Sequence, residues 1–229
     1  MSGAALRPAI ALVIPALNES RSIAAVVAAV RHYGQPIVVD DGSTDDTGSL
    51  ANTAGAVVVT HEVNRGYDRA LESGLKRAVD DGYDFVVTLD ADGQHKPELL
   101  ALFLAQLLAG SDMVIGVRDR HQRFSESVFS ITAKLLWGIA DPLCGMKGYQ
   151  IAKLRAIPEL CTYTSVGTEL ALRASRSGWR IAQVPISTIR REGVSRFGGG
   201  MRANWMILKS LGLGLFLARS IPVQMPVKA

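Results

Sequence analysis

Two aspartates one residue apart, Asp90 and Asp92, close a short apolar run that begins at Phe85. On an extended backbone residues i and i+2 point to the same side, so the two carboxylates are expected to converge on one point. Gln94 follows two positions later with a neutral oxygen, and Gly93 allows the chain to turn sharply between them. Ligands that are all oxygen suit a hard divalent cation, Mg²⁺ or Mn²⁺, which keeps several waters and bridges substrate phosphates. A polar loop leading into the next helix, with Pro97 in its first turn, would explain the same residues without any chemistry. The surrounding sequence decides between the two.

Residues 10–14 are a continuous apolar run of strand length, stopped by Pro15, after which Asn18, Glu19 and Ser20 offer capping chemistry for a helix through about Arg31. Residues 36–39 make a second strand, ending at Asp40-Asp41-Gly42-Ser43-Thr44-Asp45, where Ser43 or Asp45 can cap a helix to about Ala54. A third strand over 56–60 leads through Asn64-Arg65-Gly66-Tyr67 to a helix ending near Asp81. With the strand before Asp90, strand, turn and helix alternate four times, the pattern of a parallel sheet covered on both faces. Such sheets bind ligands at the carboxyl ends of their strands, near a switch in strand order. Pro15 to Glu19, Asp40-Asp41 and Asp90-x-Asp92 are therefore expected on one rim. No glycine-rich dinucleotide fingerprint or P-loop follows any strand. The acidic rim suits a base, a ribose and a metal better than bare phosphate.

Further along, 96–110 reads as a helix and 111–117 as a strand, followed by Arg118-Asp119-Arg120-His121-Gln122-Arg123. Arginine suits bidentate phosphate contact, although a basic loop of this kind is ordinarily just solvated. Residues 124–140 carry apolar side chains at helical spacing with few charges, which fits either core packing or an amphipathic helix in a membrane interface. Thr168-Glu169-Leu170 opens a helix through about Ser177, and 179–185 form a late strand. Gly198-Gly199-Gly200 is an expected hinge, and 201–218 an apolar helix carrying Arg202 and Lys209, which membrane contact or a homodimer interface would each hide.

The bulk composition narrows the classes. At 229 residues and 48% hydrophobic the chain can bury a substantial core, and a net charge of +4 with a pI near 9.2 is modestly basic. The excess is clustered at Arg118, Arg120 and Arg123 and again at Arg190, Arg191 and Arg196, which favours phosphates or an anionic membrane surface. Aromatics make up 6% of residues and do not interleave with basic ones, so a nucleic-acid platform is not expected. Cys144 and Cys161 lack metal-type spacing and are expected to be reduced. No signal-peptide pattern is present, and no apolar run reaches the roughly 20 residues that span a bilayer. The expectation is a cytoplasmic protein, peripheral on the inner face of the membrane.

Pro15-x-x-Asn18-Glu19, Asp40-Asp41-Gly42-Ser43-x-Asp45 and Asp90-Ala91-Asp92-Gly93-Gln94-His95, in this order, resemble the signatures of family 2 glycosyltransferases with the GT-A fold. The branch most resembled is the dolichol- or polyprenyl-phosphate sugar synthases, over about residues 10–200. The resemblance implies an α/β GT-A fold, with a mostly parallel central sheet flanked by helices. It makes 1–200 the transferase domain and 201–229 an apolar helix and tail. It further implies that Pro15, Leu17, Glu19, Asp40 and Asp41, with Ala91 beside them, line the donor nucleoside's pocket. Asp90, Asp92 and Gln94 would hold Mg²⁺ or Mn²⁺ on the donor diphosphate, with Asp92 counted among the catalytic residues. Arg118 matches the family's phosphate-binding arginine best, with Arg123 after it. The segment Arg190-Arg191-Glu192-Gly193-Val194-Ser195-Arg196 resembles another phosphate-binding stretch, in which Arg190 and Arg191 compete for one role. Asp141 to Tyr149 resembles the acceptor-side turn, where Ser often replaces Cys144, and the 64–68 turn is less glycine-rich than is usual in the family. The expected activity is inverting transfer of a hexose from a nucleotide-diphosphate sugar to a polyprenyl phosphate. The alternatives are transfer to a sugar hydroxyl, with Asp141 or Glu169 as base, and a silent nucleotide-sugar-binding scaffold.

Overall fold

The computed structural model describes residues 8–93, 95–119, 124–160, 165–187 and 212. Gln94, Arg120, Arg123, Cys161, Arg190, Arg191, the expected hinge and, but for Gly212, the 201–218 helix lie outside the described residues. The described elements are β1 (Ile10–Ala16), α1 (Ile23–Val30), β2 (Gln35–Asp40), α2 (Thr47–Thr53), β3 (Val57–Thr60), α3 (Tyr67–Asp80) and β4 (Phe85–Thr88). They continue with α4 (Leu99–Leu108), β5 (Met113–Arg118), α5 (Phe124–Trp137), β6 (Lys147–Gln150), α6 (Ile151–Arg155), α7 (Val166–Arg176) and β7 (Ile181–Ile186).

The strands form one sheet in the order β3-β2-β1-β4-β6-β5-β7, parallel except for β6, which is antiparallel to both β4 and β5. Every strand except β6 is largely apolar, and away from the half-buried edge strand β3 the sheet interior is buried on two faces. Leu12, Ile14, Val38 and Val87 pack with α1 and α4 on one face, and Val13, Ile37, Val86 and Met113 with α3 and α7 on the other. The order reverses between β1 and β4, so the crevice beyond their carboxyl ends is where a ligand is expected to bind.

Two expectations are corrected. β1 does not stop at Pro15 but runs on to Ala16. Val13 accepts from the Leu89 N–H on the β4 side, so Pro15, two residues on, points its missing donor to that side, where the β4 ladder has already ended. β6 and α6 were not expected, because Lys147-Gly148-Tyr149-Gln150 has no apolar run or alternation to announce a strand. Its burial comes from neighbours that are far off in sequence.

Close approach of α3 to the sheet depends on one residue. A Cβ at Gly74 would lie 2.4 Å from Val13 Cγ1 and 3.0 Å from Val39 Cγ2. Both valines are fully buried and β-branched, so neither can swing aside. Gly74→Ala is expected to cost about 1–3 kcal/mol through overpacking, read as a lower urea midpoint at unchanged slope. An unaltered midpoint would mean that the helix is not seated there.

Candidate active site

The loops after β1 and β2 are tied together by hydrogen bonds. Asn18, the only described non-glycine residue with positive φ (53°), donates its N–H to Ser43 Oγ at 2.9 Å, and its Oδ1 accepts from the Thr44 N–H at 2.9 Å. The Glu19 N–H donates to Thr47 Oγ1 at 2.8 Å and the Ser20 N–H to Asp45 Oδ2 at 3.2 Å. Asp45 also accepts from the Thr47 N–H at 3.0 Å, at the entry to α2. This knitting leaves Leu17 exposed and Glu19 half-buried on the rim, while Pro15 is buried within β1.

Asp40 and Asp41 are both buried, and their carboxylates are already employed. Asp40 Oδ1 accepts from the Ser43 N–H at 3.1 Å, and its Oδ2 lies where only a glycine at position 48 leaves room. Asp41 Oδ1 accepts from the Arg65 N–H at 2.9 Å and meets His61 Nδ1 at 2.6 Å, while Oδ2 accepts from the Gly66 N–H at 2.8 Å. With about two lone pairs per oxygen, Asp41 keeps one acceptor position, on Oδ2, for a ligand. His61 Nε2 lies 3.0 Å from Ser73 Oγ, so this buried ring joins β2 to α3. His61 escaped the sequence reading; a lone histidine just after a strand carries no signal of its own.

The clamp reaches the acidic pair. By fixing Arg65 and Gly66, Asp41 sets the entry to α3, whose first residue, Tyr67, donates its hydroxyl to Asp90 Oδ1 at 3.3 Å. β4 ends at Thr88 and residues 91–92 lie in a turn, so Asp90 and Asp92 are not on a strand as expected. Burial nevertheless alternates: Leu89 and Ala91 lie in the core, whereas Asp90 and Asp92 are half-buried. The side chain of Ala91 anchors this turn, so only its backbone is available to a donor.

A second wall comes from β6. Because Thr88 pairs with Lys147, the residues preceding β6 arrive at the end of β4. Thr88 Oγ1 donates to the Gly145 carbonyl at 2.7 Å, and a Cβ at Gly145 would lie 2.9 Å from Asp90 Oδ2. Arg118, at the end of β5, grips fully buried Asp141 through Nε at 2.7 Å and Nη2 at 3.0 Å, with Glu126 3.4 Å from Nη1. Burial pushes the Asp141 carboxyl up, but the hydrogen bonds and charge of Arg118 outweigh it and hold it below the usual carboxylate range. Glu169 is buried and paired with Arg173. Burial raises the Cys144 thiol to about 11, which makes it inert as a nucleophile and leaves it structural, packed against Gly116.

The structure thus brings Leu17, Glu19, Asp40, Asp41, Asp90, Asp92 and Arg118 to one rim. Among the described residues no three histidine, cysteine or acidic side chains form a metal cluster. Two carboxylates still fit a hard cation that takes its remaining oxygens from water and a diphosphate, and the side-chain-free wall at Gly145 keeps the Asp90 carboxylate uncrowded.

A family model described as glycosyl transferase family 2 matches residues 11–162. The polyprenol monophosphomannose synthase of Mycolicibacterium smegmatis is 33% identical, over 82% of this chain and 80% of that protein. The undecaprenyl-phosphate mannosyltransferase of Micrococcus luteus is 32% identical, over 82% of this chain and 87% of its own. Among solved structures, the glucosyl-3-phosphoglycerate synthase of Mycobacterium tuberculosis with Mn²⁺, uridine diphosphate and phosphoglyceric acid superposes with a TM-score of 0.76. The identity is 26%, covering 95% of this chain and 80% of that one. The architecture is the GT-A-like α/β fold.

Removing the Asp41 carboxylate strands two backbone N–H groups and the His61 ring. Asp41→Ala is expected to lose about 2–4 kcal/mol of stability from these unsatisfied groups, with Asn restoring part of it, as measured by chemical denaturation. A variant as stable as the parent would mean that those donors have other partners.

Proposed function

The chain is a member of glycosyl transferase family 2, and on that premise we propose that it transfers a hexose from a nucleotide-diphosphate sugar to a polyprenyl phosphate, with inversion at the anomeric carbon. The observation that carries the reading is the meeting, on one rim, of the half-buried Asp90–Asp92 pair with the Asp40–Asp41 loop. The relatives named for transfer to polyprenol and undecaprenyl phosphates support the acceptor class.

The nucleoside lies along Pro15, Leu17 and Glu19, with Asp40 and Asp41 shaping the pocket beneath it. Asp90 and Asp92, with Gln94 outside the described residues, hold Mg²⁺ or Mn²⁺. A divalent cation bound there neutralises charge on the leaving diphosphate. The acceptor phosphate, ionised near neutral pH, attacks the anomeric carbon through its own oxygen, the nucleoside diphosphate departs, and no general base is needed. That fits the state of Asp141 and Glu169, the two carboxylates that a hydroxyl acceptor would need as a base. Both are buried and held by arginines. Arg118 fixes the acceptor-side turn through Asp141 and turns its remaining donors toward the acceptor phosphate. Arg123 and one of Arg190 and Arg191 add positive charge that offsets the repulsion between the two phosphate groups.

Contact with the membrane is assigned to α5. Phe124, Ile131 and Leu135 are 82%, 61% and 80% exposed and, with half-buried Val128, follow one another at i, i+4, i+7 and i+11 along one helical face. Phe129 and Ala133 pack inward. No described helix is long and apolar enough to cross a membrane, so an in-plane position on the inner leaflet is the arrangement proposed.

With Mn²⁺, detergent-dispersed polyprenyl phosphate and a panel of UDP- and GDP-sugars, the protein is expected to form a lipid-linked sugar, and Asp92→Ala to reduce this to background while keeping the fold. Faster transfer to a soluble sugar hydroxyl than to any polyprenyl phosphate would replace this reading with polysaccharide assembly.

Sedimentation with vesicles should increase with anionic lipid and fall with salt. Phe124→Ser combined with Leu135→Ser should weaken it by about tenfold or more, given the apolar area removed. Binding indifferent to that pair would take α5 off the membrane.

A further inference from the structure

His61 is a buried ring at the rim for which the transfer reaction has no direct use. Asp40 pairs with Thr60 at the end of the β2–β3 ladder, which places the next residues, Asp41 and His61, side by side. His61 is 7% exposed and Asp41 3%. The ring's Nδ1 meets Asp41 Oδ1 at 2.6 Å, and its Nε2 lies 3.0 Å from Ser73 Oγ on α3. An ionised carboxylate only accepts, so the proton of Nδ1 points to Asp41 and, in the neutral ring, Nε2 accepts from the Ser73 hydroxyl. Ser73 reaches the ring because its neighbour, Gly74, lets α3 sit directly on Val13 and Val39.

The backbone at Asp41 is fixed without the ring. The Asp41 N–H donates to the Ala16 carbonyl and the His61 N–H to the Asp40 carbonyl, both at 2.9 Å. The side chain is less constrained. Its terminal torsion joins an sp³ to an sp² carbon and has a broad minimum, so the plane of the carboxylate can swing. Arg65 and Gly66 donate from consecutive positions of one turn and therefore hold that plane from one side. The imidazole reaches it from a different element and is itself anchored at the far nitrogen. With the ring in place Oδ1 carries two donors, and the open acceptor position falls on Oδ2 in one direction.

We propose that His61 is a positioning residue for donor binding: braced by Ser73, its ring fixes the plane of the Asp41 carboxylate and so aims the open position on Oδ2 at the nucleotide. This rests on the reading that the loop after β2 lines the nucleoside's pocket. His61 acts through Asp41 and not on the substrate itself. A side chain that is ordered before the ligand arrives need not be immobilised in the binding step. Without the ring the backbone bonds at Asp41 remain, and the penalty falls on the nucleotide, which must then order the carboxylate.

Calorimetric titration of the whole protein with uridine or guanosine diphosphate in the presence of Mn²⁺ tests this. His61→Phe keeps a ring and removes both nitrogens; it is expected to weaken nucleotide binding about three- to tenfold, the cost of immobilising one side chain. His61→Asn puts an amide donor at the place of Nδ1 and should recover most of the loss. Should His61→Phe not fold, Ser73→Ala removes the half-buried far anchor and should weaken binding in the same direction. In steady-state assays the donor KM should rise by more than kcat falls, with the acceptor KM unchanged. A ring that only holds the fold together gives the reverse: less folded protein, lower kcat and parent-like nucleotide affinity in the folded fraction. That result, or an Asn variant no better than Phe, overturns the positioning role and leaves the transferase reading intact. Parent protein that binds neither diphosphate overturns the nucleoside pocket and this inference with it.

Discussion

Because β6 runs against its neighbours, its amino end meets the rim where β1, β2, β4 and β5 finish. A wholly parallel sheet could bring only the loops that follow its strands to that edge. Reversal of β6 instead delivers the segment before it, Asp141 to Met146, directly beside the end of β4. The contact is specific: Thr88 on β4 bonds the Gly145 carbonyl, and the absent side chain at 145 makes room for Asp90. The loop that carries Asp90 and the turn before β6 thereby share a wall. Had β6 been parallel, the turn would have lain at the opposite edge of the sheet.

Several residues whose types suggest chemistry are occupied in holding loops. Asp41 spends three acceptor positions on His61, Arg65 and Gly66, and Asp45 joins the loops after β1 and β2. Irregular backbone at a strand end must satisfy its polar groups somewhere, and short acidic side chains accept several N–H groups at once. The rim is thus rigid before a ligand arrives, and positioning costs less when it does. From Asp41 the ordering passes through Gly66 to Tyr67 and on to Asp90, so the loop after β2 also braces the acidic pair.

The acceptor side is held by charge rather than by backbone. Arg118, Asp141 and Glu126 are all largely buried, and each is tolerable only because of the others. Ion pairs of this kind add little net stability, but they are costly to break one partner at a time. What they provide is a fixed arrangement of charge at the end of β5. The neutral, buried Cys144 packs against Gly116 without adding a charge of its own.

The sequence by itself determined the strand–turn–helix alternation, the shared rim and the identity of the acidic pair. Each depends on local pattern: apolar runs of strand length, capping residues, and Asp-x-Asp beside a glycine. It also supplied Arg118 and the apolar helical spacing over 124–140, which is legible without neighbours, whereas the exposed stripe at 124, 131 and 135 was decided by the fold. Tertiary structure alone decided the strand status of Lys147 to Gln150, the run of β1 through Pro15 and the buried role of His61. It also turned Asp40 and Asp41 inward and locked Asp141 to Arg118. The reason is physical: whether a polar side chain is a ligand or a brace depends on which donors surround it. Those donors come from segments 23 residues away for Arg118 and Asp141, and 57 for Thr88 and Gly145. No local pattern encodes a partner at that separation; the sheet order does.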